Sequence, residues 1–320
     1  MIVVTGGAGF ICSNLVKALN ERGRDDILVV DDLGVVADSA NLVGRKVLGF
    51  RDKDDLLTFV SSGQEFQAPV EAVIHLGACS STTEPDRQFM MENNYEYSKI
   101  LLHYCLDREI PFIHASSASV YGNGREFDAK RAIEAPLNVY GHSKLLFDRD
   151  LREVQDSASS QVVSLRYFNV YGPREQHKDS MASVAYQFNR QILDNGRVKL
   201  FEGCDGFADG EQRRDFIYVV DVVDVTLWFM DNPKLSGIFN VGTGQSETFN
   251  NLARAVIDWH GFGQVEYIPF PEPLKGSYQS FTEANIDDLR EAGYEATFLT
   301  VQEGVPLYLN WLNRDRWSSG

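Results

Sequence analysis

A chain of 320 residues, 43% hydrophobic and 24% charged, has ordinary globular composition and length for one large domain or two closely joined ones. Its 46 acidic against 30 basic residues leave a formal net charge of −16, a field that repels DNA and RNA. No stretch approaches the ~20 apolar residues of a membrane span, and the widely spaced Cys12, Cys79, Cys105 and Cys204 argue against a disulfide framework or zinc site and for a reducing cytoplasm.

Met1 leads straight into an apolar run with no basic flank or cleavage site, so the N-terminus reads as structure and not as a signal peptide. Ile2 to Val4 predicts a strand, Phe10 to Arg22 a helix and Ile27 to Val30 a second strand. A helix near Asp54 to Ser61 follows, then a strand over Val70 to His75, a helix over Tyr95 to Arg108 and a strand over Phe112 to Ala115. Such alternation, with near-continuous apolar strands, predicts a parallel sheet covered on both faces, with ligands beyond the carboxyl ends of its strands. The second half is less regular. Val162 to Phe168 predicts a strand, Met181 to Leu193 a helix, and Leu200-Phe201 the start of a strand before a polar loop from Gly203 to Gln212. Pro269 to Pro273 reads as a connector and Arg316 to Gly320 as a frayed tail.

Thr5-Gly6-Gly7-Ala8-Gly9-Phe10-Ile11 lies between the first strand and the first helix. Glycines there allow a tight turn and let backbone N–H groups approach a pyrophosphate at the positive helix end. Asp31 closes the second strand about 20 residues on, where a ribose-binding acid belongs. The third glycine of the usual pattern is replaced by Cys12, which reads as a packing residue that widens the helix–sheet contact slightly. Asp31, Asp32 and Asp38 repel a 2′-phosphate and favour NAD over NADP, with Arg45, Lys46 and Lys53 available to counter them.

Asn138-Val139-Tyr140-Gly141-His142-Ser143-Lys144 contains Tyr-x-x-x-Lys, which on a helix puts both side chains on one face. A phenol titrates near 10, too high for a base at neutral pH, and a neighbouring ammonium lowers it. Ser117, in Ala115-Ser116-Ser117-Ala118-Ser119, follows an apolar strand and can hydrogen-bond the alcohol that reacts with Tyr140. The six histidines form no metal pattern; His75, His103 and His114 read as structural. Trp228-Phe229, Trp259 and Trp311 fit helix faces packed on a core or a subunit interface, which makes a homo-oligomer the expectation.

Glycine turn, Asp31, Ser117, Tyr140 and Lys144 together resemble the extended short-chain dehydrogenase/reductases. The longer strings Gly77 to Glu84, Pro136 to Lys144, Arg166 to Glu175, His177-Lys178, Ser180 to Val184 and Leu200 to Gly203 are similar to the nucleotide-sugar epimerases of that family that act on ADP-heptose. The resemblance implies an α/β fold: a Rossmann-type doubly wound parallel sheet over residues 1–170, rejoined by segments near 215–245, with a smaller, partly interleaved substrate-binding α/β domain over 171–320. It implies epimerisation at C6 of ADP-D-glycero-D-manno-heptose through a 6-keto sugar, in the supply of heptose for the lipopolysaccharide inner core. One tightly bound NADP or NAD per subunit is expected, NADP by resemblance and NAD by the local carboxylates. Tyr140 and Lys178 would be the two acid–base groups, aided by Ser117 and Lys144. Cofactor contacts would be Gly6, Gly7, Gly9, Phe10, Ile11, Asp31, Asp32, Lys53, Leu76, Gly77, Ala78, Cys79, Ser80, Asn93, Lys144, Val170 and Lys178. Substrate contacts would be Ser117, Asn169, Ser180, Gln187, Phe201, Glu202, Gly203, Cys204, Arg214 and Tyr278, with the planar fork of Arg214 suited to a diphosphate.

Gln187 stands where that group places a histidine, and the loop from Cys204 to Gln212 is long, so sugar discrimination stays open. A UDP-sugar 4-epimerase needs only the serine, tyrosine and lysine and remains an alternative. A 4,6-dehydratase would place an acidic pair beside the serine, where this chain has Ser117-Ala118-Ser119. A dinucleotide-binding regulator would commonly lack the Tyr–Lys pair.

Overall fold

Short β-branched runs and longer amphipathic runs alternate through the first half. They form β1 Ile2–Thr5, α1 Phe10–Glu21, β2 Ile27–Asp31, α2 Leu33–Ala37, β3 Gly49–Asp52, α3 Lys53–Ser61, β4 Ala72–His75, α4 Arg87–Met90, α5 Tyr97–Asp107, β5 Phe112–Ser117, α6 Val139–Val154 and β6 Val162–Tyr167. Then come β7 Asn169–Tyr171, α7 Val184–Asn195, β8 Arg197–Phe201, β9 Arg213–Arg214, β10 Phe216–Tyr218, α8 Val219–Asp231, β11 Gly237–Val241, β12 Glu247–Thr248, α9 Phe249–His260, β13 Gln264–Ile268, α10 Asp287–Glu291 and α11 Val301–Leu312. The computed structural model describes residues 1–37, 39–129, 133–272, 276 and 278–314, so Asp38, the Pro273 end of the connector and the tail from Arg316 lie outside the described residues.

Two compact units divide the chain. The first comprises Met1–Gly122, Glu134–Tyr167 and Val223–Phe239; the second comprises Asn123–Ile133, Phe168–Val222 and Asn240–Gly320. The main sheet has seven strands in the order β11-β6-β5-β4-β1-β2-β3, and from β6 to β3 every pairing is parallel. Chain direction across the sheet reverses between β1 and β4, the switch point at which doubly wound sheets open a crevice beyond their carboxyl ends. Val3, Val30, Val73, Phe112, Phe147 and Leu101 are buried in one cluster between this sheet and its helices. Each such side chain contributes ~1.5–3 kcal/mol by leaving water.

The second unit has its own core, built from Phe188 and Ile192 of α7, Val198 and Leu200 of β8, Leu252 and Val256 of α9, and Val305 and Leu309 of α11. Strands β8 and β13 pair in parallel, as do β7 and β10, while β9 and β12 are antiparallel. Among the described residues no helix is long and apolar enough to cross a membrane.

Strand β8 runs from Arg197 and ends at Phe201 instead of starting at Leu200, and three further elements differ from expectation for local reasons. Met91–Glu96 is π-helical and joins α4 to α5, so the regular helix starts at Tyr97 and not at Tyr95. The helix expected from Met181 starts at Val184, because the Ser183 hydroxyl caps it by accepting from the Tyr186 amide. Strand β3 has only one apolar side chain, Phe50, and its pairing with β2 defines it; its sequence carries little alternation to read.

Candidate active site

The glycine turn is shaped by what it must approach. Gly6 has φ +71°, and a Cβ there would stand 2.6 Å from the Cα of Gly77. A side chain would therefore push apart the two loops that flank the switch point. The Gly6 amide donates to Val30 O at 2.7 Å and the Gly9 amide to Gly6 O at 2.9 Å, which folds the turn over the end of β1. Asp31 Oδ2 accepts from the Ala8 amide at 2.9 Å and Oδ1 from the Asp32 amide at 2.9 Å, so this carboxylate is fixed at the end of β2. Phe10 and Ile11 open α1, whose first-turn amides face the turn as an anion-binding end. Cys12 is buried and its thiol donates to Thr5 O at 3.2 Å. Burial, then Asp31, push that thiol well up, so it is a packing residue.

The neighbouring loop is pinned by a chain of bonds whose direction can be worked out. Ser98 donates its proton to Asn94 O at 2.5 Å, so its oxygen must accept from His75 Nε2 at 2.8 Å. His75 Nδ1 is then an acceptor, supplied by the Thr5 hydroxyl at 2.6 Å, and Thr5 in turn accepts from the Gly77 amide at 3.1 Å. Asn94 clasps Cys79, accepting from its amide at 2.8 Å and donating to its carbonyl at 2.9 Å, and the Asn93 amide group donates to Asn94 Oδ1. Leu76, Gly77, Ala78, Cys79 and Ser80 are thus held beside Gly6. Lys53 follows β3, whose Asp52 lies level with Asp31, and its ammonium pairs with Asp54 at 3.0 Å.

Helix α6 starts where Asn138 accepts from the Gly141 amide at 2.8 Å. Gly141 lets the helix close on the turn after β5: a Cβ there would lie 2.7 Å from Ser119 O. That approach brings Tyr140 toward Ser117, whose hydroxyl donates to Ser119 Oγ and accepts from the Ser119 amide, each at 3.1 Å. Burial pushes the phenol up and Ser117 opposes it; the expected lowering by Lys144 is not found. Lys144 is instead turned to His114, its Nζ 3.4 Å from Nε2, and burial brings its own pKa down to about 8 against the pull of Asp148.

Beneath this pair lies a buried polar chain. Tyr140, Lys144, Asp148 and Arg152 recur at four-residue spacing on α6. Asp148 accepts from Ser164 at 2.6 Å, Ser116 at 2.9 Å and Arg166 Nε at 2.8 Å, and Arg166 also reaches Glu134 at 2.6 Å. Arg166 and Asp148 are both completely buried.

The remaining predicted residues belong to the second unit and fall into two groups. Lys178 and Ser180 lie on the Gln176–Met181 turn, kinked at Asp179 with φ +46°, and Gln187 Nε2 donates to Asp179 O at 2.6 Å. Glu175 accepts from the Gly172 amide and from Ser183, which fixes that turn. Half-buried Lys178 is pushed down by burial and up by Glu175. In the other group, the Arg214 guanidinium lies 4.8 Å over the Tyr278 ring, and Tyr278 packs edge-on against Phe201 at 6.3 Å. Gly203 donates to Asp209 at 2.8 Å, Cys204 Sγ accepts from Gln212, and Glu202 donates to Ile268 O at 2.8 Å. Arg214 is 7% exposed, and among the described residues no carboxylate pairs with it. Asn169 donates its amide to Asp215 O at 3.0 Å, and Val170 pairs with Ile217 in the same ladder.

Sequence reasoning missed Thr5, Ser164, Asp148 and Arg166, and took His114 as merely structural. A signal was present. In register, His114 lies opposite Ser164 and Ser116 opposite Arg166, so two adjacent apolar strands both carry polar side chains on the face toward α6. Such groups persist in a core only when bonded.

The model of the NAD dependent epimerase/dehydratase family matches residues 2–242. The chain is similar to the ADP-L-glycero-D-manno-heptose-6-epimerase of Alkalilimnicola ehrlichii, 57% identical over 310 residues, 97% of each chain. Among crystal structures it is similar to the Helicobacter pylori ADP-L-glycero-D-manno-heptose-6-epimerase, with TM-score 0.83, 31% identity and coverage of 98% of this chain and 96% of that one. The Thermus thermophilus UDP-glucose 4-epimerase complex with NAD is more distant, with TM-score 0.77, 28% identity and 97% of each chain covered. The seven-stranded Rossmann-type sheet agrees with these matches: the chain belongs to the NAD dependent epimerase/dehydratase family.

Proposed function

We propose that this chain converts ADP-D-glycero-D-manno-heptose to ADP-L-glycero-D-manno-heptose, inverting C6 through a transient 6-keto sugar, as a cytoplasmic step in heptose supply for the lipopolysaccharide inner core. The observation that carries the reading is 57% identity, over 97% of both chains, to an enzyme of that name. Ser117 at the carboxyl end of β5 opposes the effect of burial on the Tyr140 phenol, which supports Tyr140 as an acid–base group.

The residues of the first unit fit a nicotinamide dinucleotide. The turn at Gly6 excludes side chains, the end of α1 presents amides, and Asp31 stands fixed at the end of β2, from which it would accept the ribose hydroxyls. Gly6, Gly7, Gly9, Phe10, Ile11, Asp31, Asp32, Lys53, residues 76–80, Asn93 and Lys144 would hold it, joined by Val170 and Lys178. Asp31 and exposed Asp32 put negative charge where a 2′-phosphate would sit, and Lys53 is already paired with Asp54. The preferred form is therefore NAD. When bound, a nicotinamide dinucleotide would supply reversible hydride acceptance at C6, with no net change of the cofactor per turnover.

Tyr140 takes the proton of the C6 hydroxyl, with Ser117 orienting that hydroxyl by hydrogen bonding. The C–H bond breaks as the carbonyl forms, and proton and hydride are both restored to the sugar on inversion. Inversion requires the keto group to present its other face, which carries the C6 oxygen to a second position, so a second acid–base group is needed there. Lys178 serves, because burial has lowered its affinity for a proton. Arg214, a buried guanidinium whose planar fork suits a diphosphate, binds the ADP moiety, with Tyr278 and residues 201–204 around it. Asn169, Ser180 and Gln187 complete the substrate set. Incubation with ADP-D-glycero-D-manno-heptose and NMR analysis of C6 tests the reading.

A further inference from the structure

We propose that His114 is a positioning residue for Lys144: a neutral imidazole, protonated on Nδ1, whose Nε2 accepts one N–H of the ammonium and whose Nδ1–H is anchored through Ser164 to the Asp148 carboxylate. The inference rests on the reading that Tyr140 and Lys144 carry out proton transfer.

The direction of every bond in this chain follows from donor chemistry. An ammonium donates and never accepts, so His114 Nε2, 3.4 Å from Lys144 Nζ, must present its lone pair. The proton of the neutral ring is then on Nδ1, which donates to Ser164 Oγ at 3.2 Å. Ser164 spends its own proton on Asp148 Oδ1 at 2.6 Å. Asp148 Oδ2 accepts from Ser116 at 2.9 Å and Arg166 Nε at 2.8 Å, so the chain ends on a carboxylate held ionised by a guanidinium. The opposite tautomer would set an N–H against the ammonium. His114, Ser164 and Asp148 are completely buried, so no water competes for these positions.

Lys144 is faced by His114 from β5, His75 from β4, Asp148 and Tyr140 from its own helix, and, through Asp148, Arg166 from β6. Both imidazoles are held neutral, burial being the larger cause and Lys144 the next. His114 therefore adds an acceptor to Lys144 without adding charge. It commits one N–H of the ammonium to the protein interior. Acceptance of a hydrogen bond favours the charged lysine, so the pair raises the pH at which Lys144 loses its proton.

The test has two arms. In the holoenzyme, ¹⁵N-histidine NMR, assigned with His114→Gln, should show His114 neutral and protonated on Nδ1 from mildly acid to mildly alkaline pH; protonation on Nε2 overturns the proposal. This arm needs no substrate, so its failure is distinct from failure of the epimerase reading. In the kinetic arm, the wild-type fall in kcat on the alkaline side should lie near the pKa of about 8 to which burial brings Lys144. His114→Phe should move that limb down by about one pH unit, a roughly fivefold loss at the old midpoint with little change in KM. His114→Gln, which can still accept, should restore it. Should His114→Phe fail to fold, Ser164→Ala should shift the limb the same way by less. An unmoved limb in the folded variant, or equal shifts in the Phe and Gln variants, overturns the proposal.

Discussion

Ser117 Oγ donates to Ser119 Oγ at 3.1 Å at the carboxyl end of β5, and the interaction of Ser117 with the Tyr140 phenol is what counters the effect of burial on that phenol. Tyr140→Phe should cost ~10²–10⁴-fold in kcat with the dinucleotide still bound. Ser117→Ala should weaken the base in a second way: without that interaction the phenol titrates higher, so the acid limb of the pH profile moves up. A pH–rate profile of both variants checks this, and an unmoved limb in Ser117→Ala would show that Ser117 only contacts substrate.

Lys178 offers a contrasting case. Burial lowers its pKa while Glu175 restrains the shift, and its turn is stitched by Glu175 to Gly172 and Ser183. Lys178→Met should lose most epimerisation while retaining fold and dinucleotide. Near wild-type turnover in that variant would remove the second acid–base group from the mechanism.

Asp31 accepts two backbone amides and carries the proposed preference between cofactors. Asp31→Ala should weaken NAD retention at least tenfold, by about 1.4 kcal/mol, since charge-assisted bonds of this kind contribute ~1.5–3 kcal/mol. It should also narrow the gap between NAD and NADP. Titration of the apoenzyme with each dinucleotide measures both effects; a wider gap would place the discriminating charge elsewhere.

Two buried imidazoles make stability depend on acidity. Burial lowers His75 to about 3 and His114 well below its ordinary value. In the unfolded chain each takes a proton below about pH 6.5, so folded-state stability is fully present above that pH and is lost as pH falls toward the folded values. Each ring should remove up to about 1.4 kcal/mol per pH unit in that window. Denaturant titrations at about pH 6.5 and about pH 5 check the slope, which should be shallower in His114→Gln. A flat profile would mean that both rings are charged in the fold.

How much was legible in the sequence depended on whether a residue acts through local spacing or through register. The turn at Gly6, Asp31 and the four-residue step from Tyr140 to Lys144 are local, and each was found. Lys144's true neighbour was not. His114 and Ser164 stand 50 positions apart, and only the pairing of β5 with β6 puts them together. Likewise the bond from Thr5 to His75 spans 70 positions and depends on β1 lying beside β4. The expected phenol shift failed for a related reason: helical spacing placed Lys144 on the right face, while burial and the acceptor on β5 turned its ammonium to the interior.

The most direct test of the central claim is incubation of the purified holoenzyme with ADP-D-glycero-D-manno-heptose, followed by NMR of the heptose C6 signals. Conversion to a mixture with ADP-L-glycero-D-manno-heptose is expected, with no net change in dinucleotide absorbance and conversion ~10²–10⁴-fold slower in Tyr140→Phe. A substrate left unchanged by dinucleotide-loaded enzyme would contradict it.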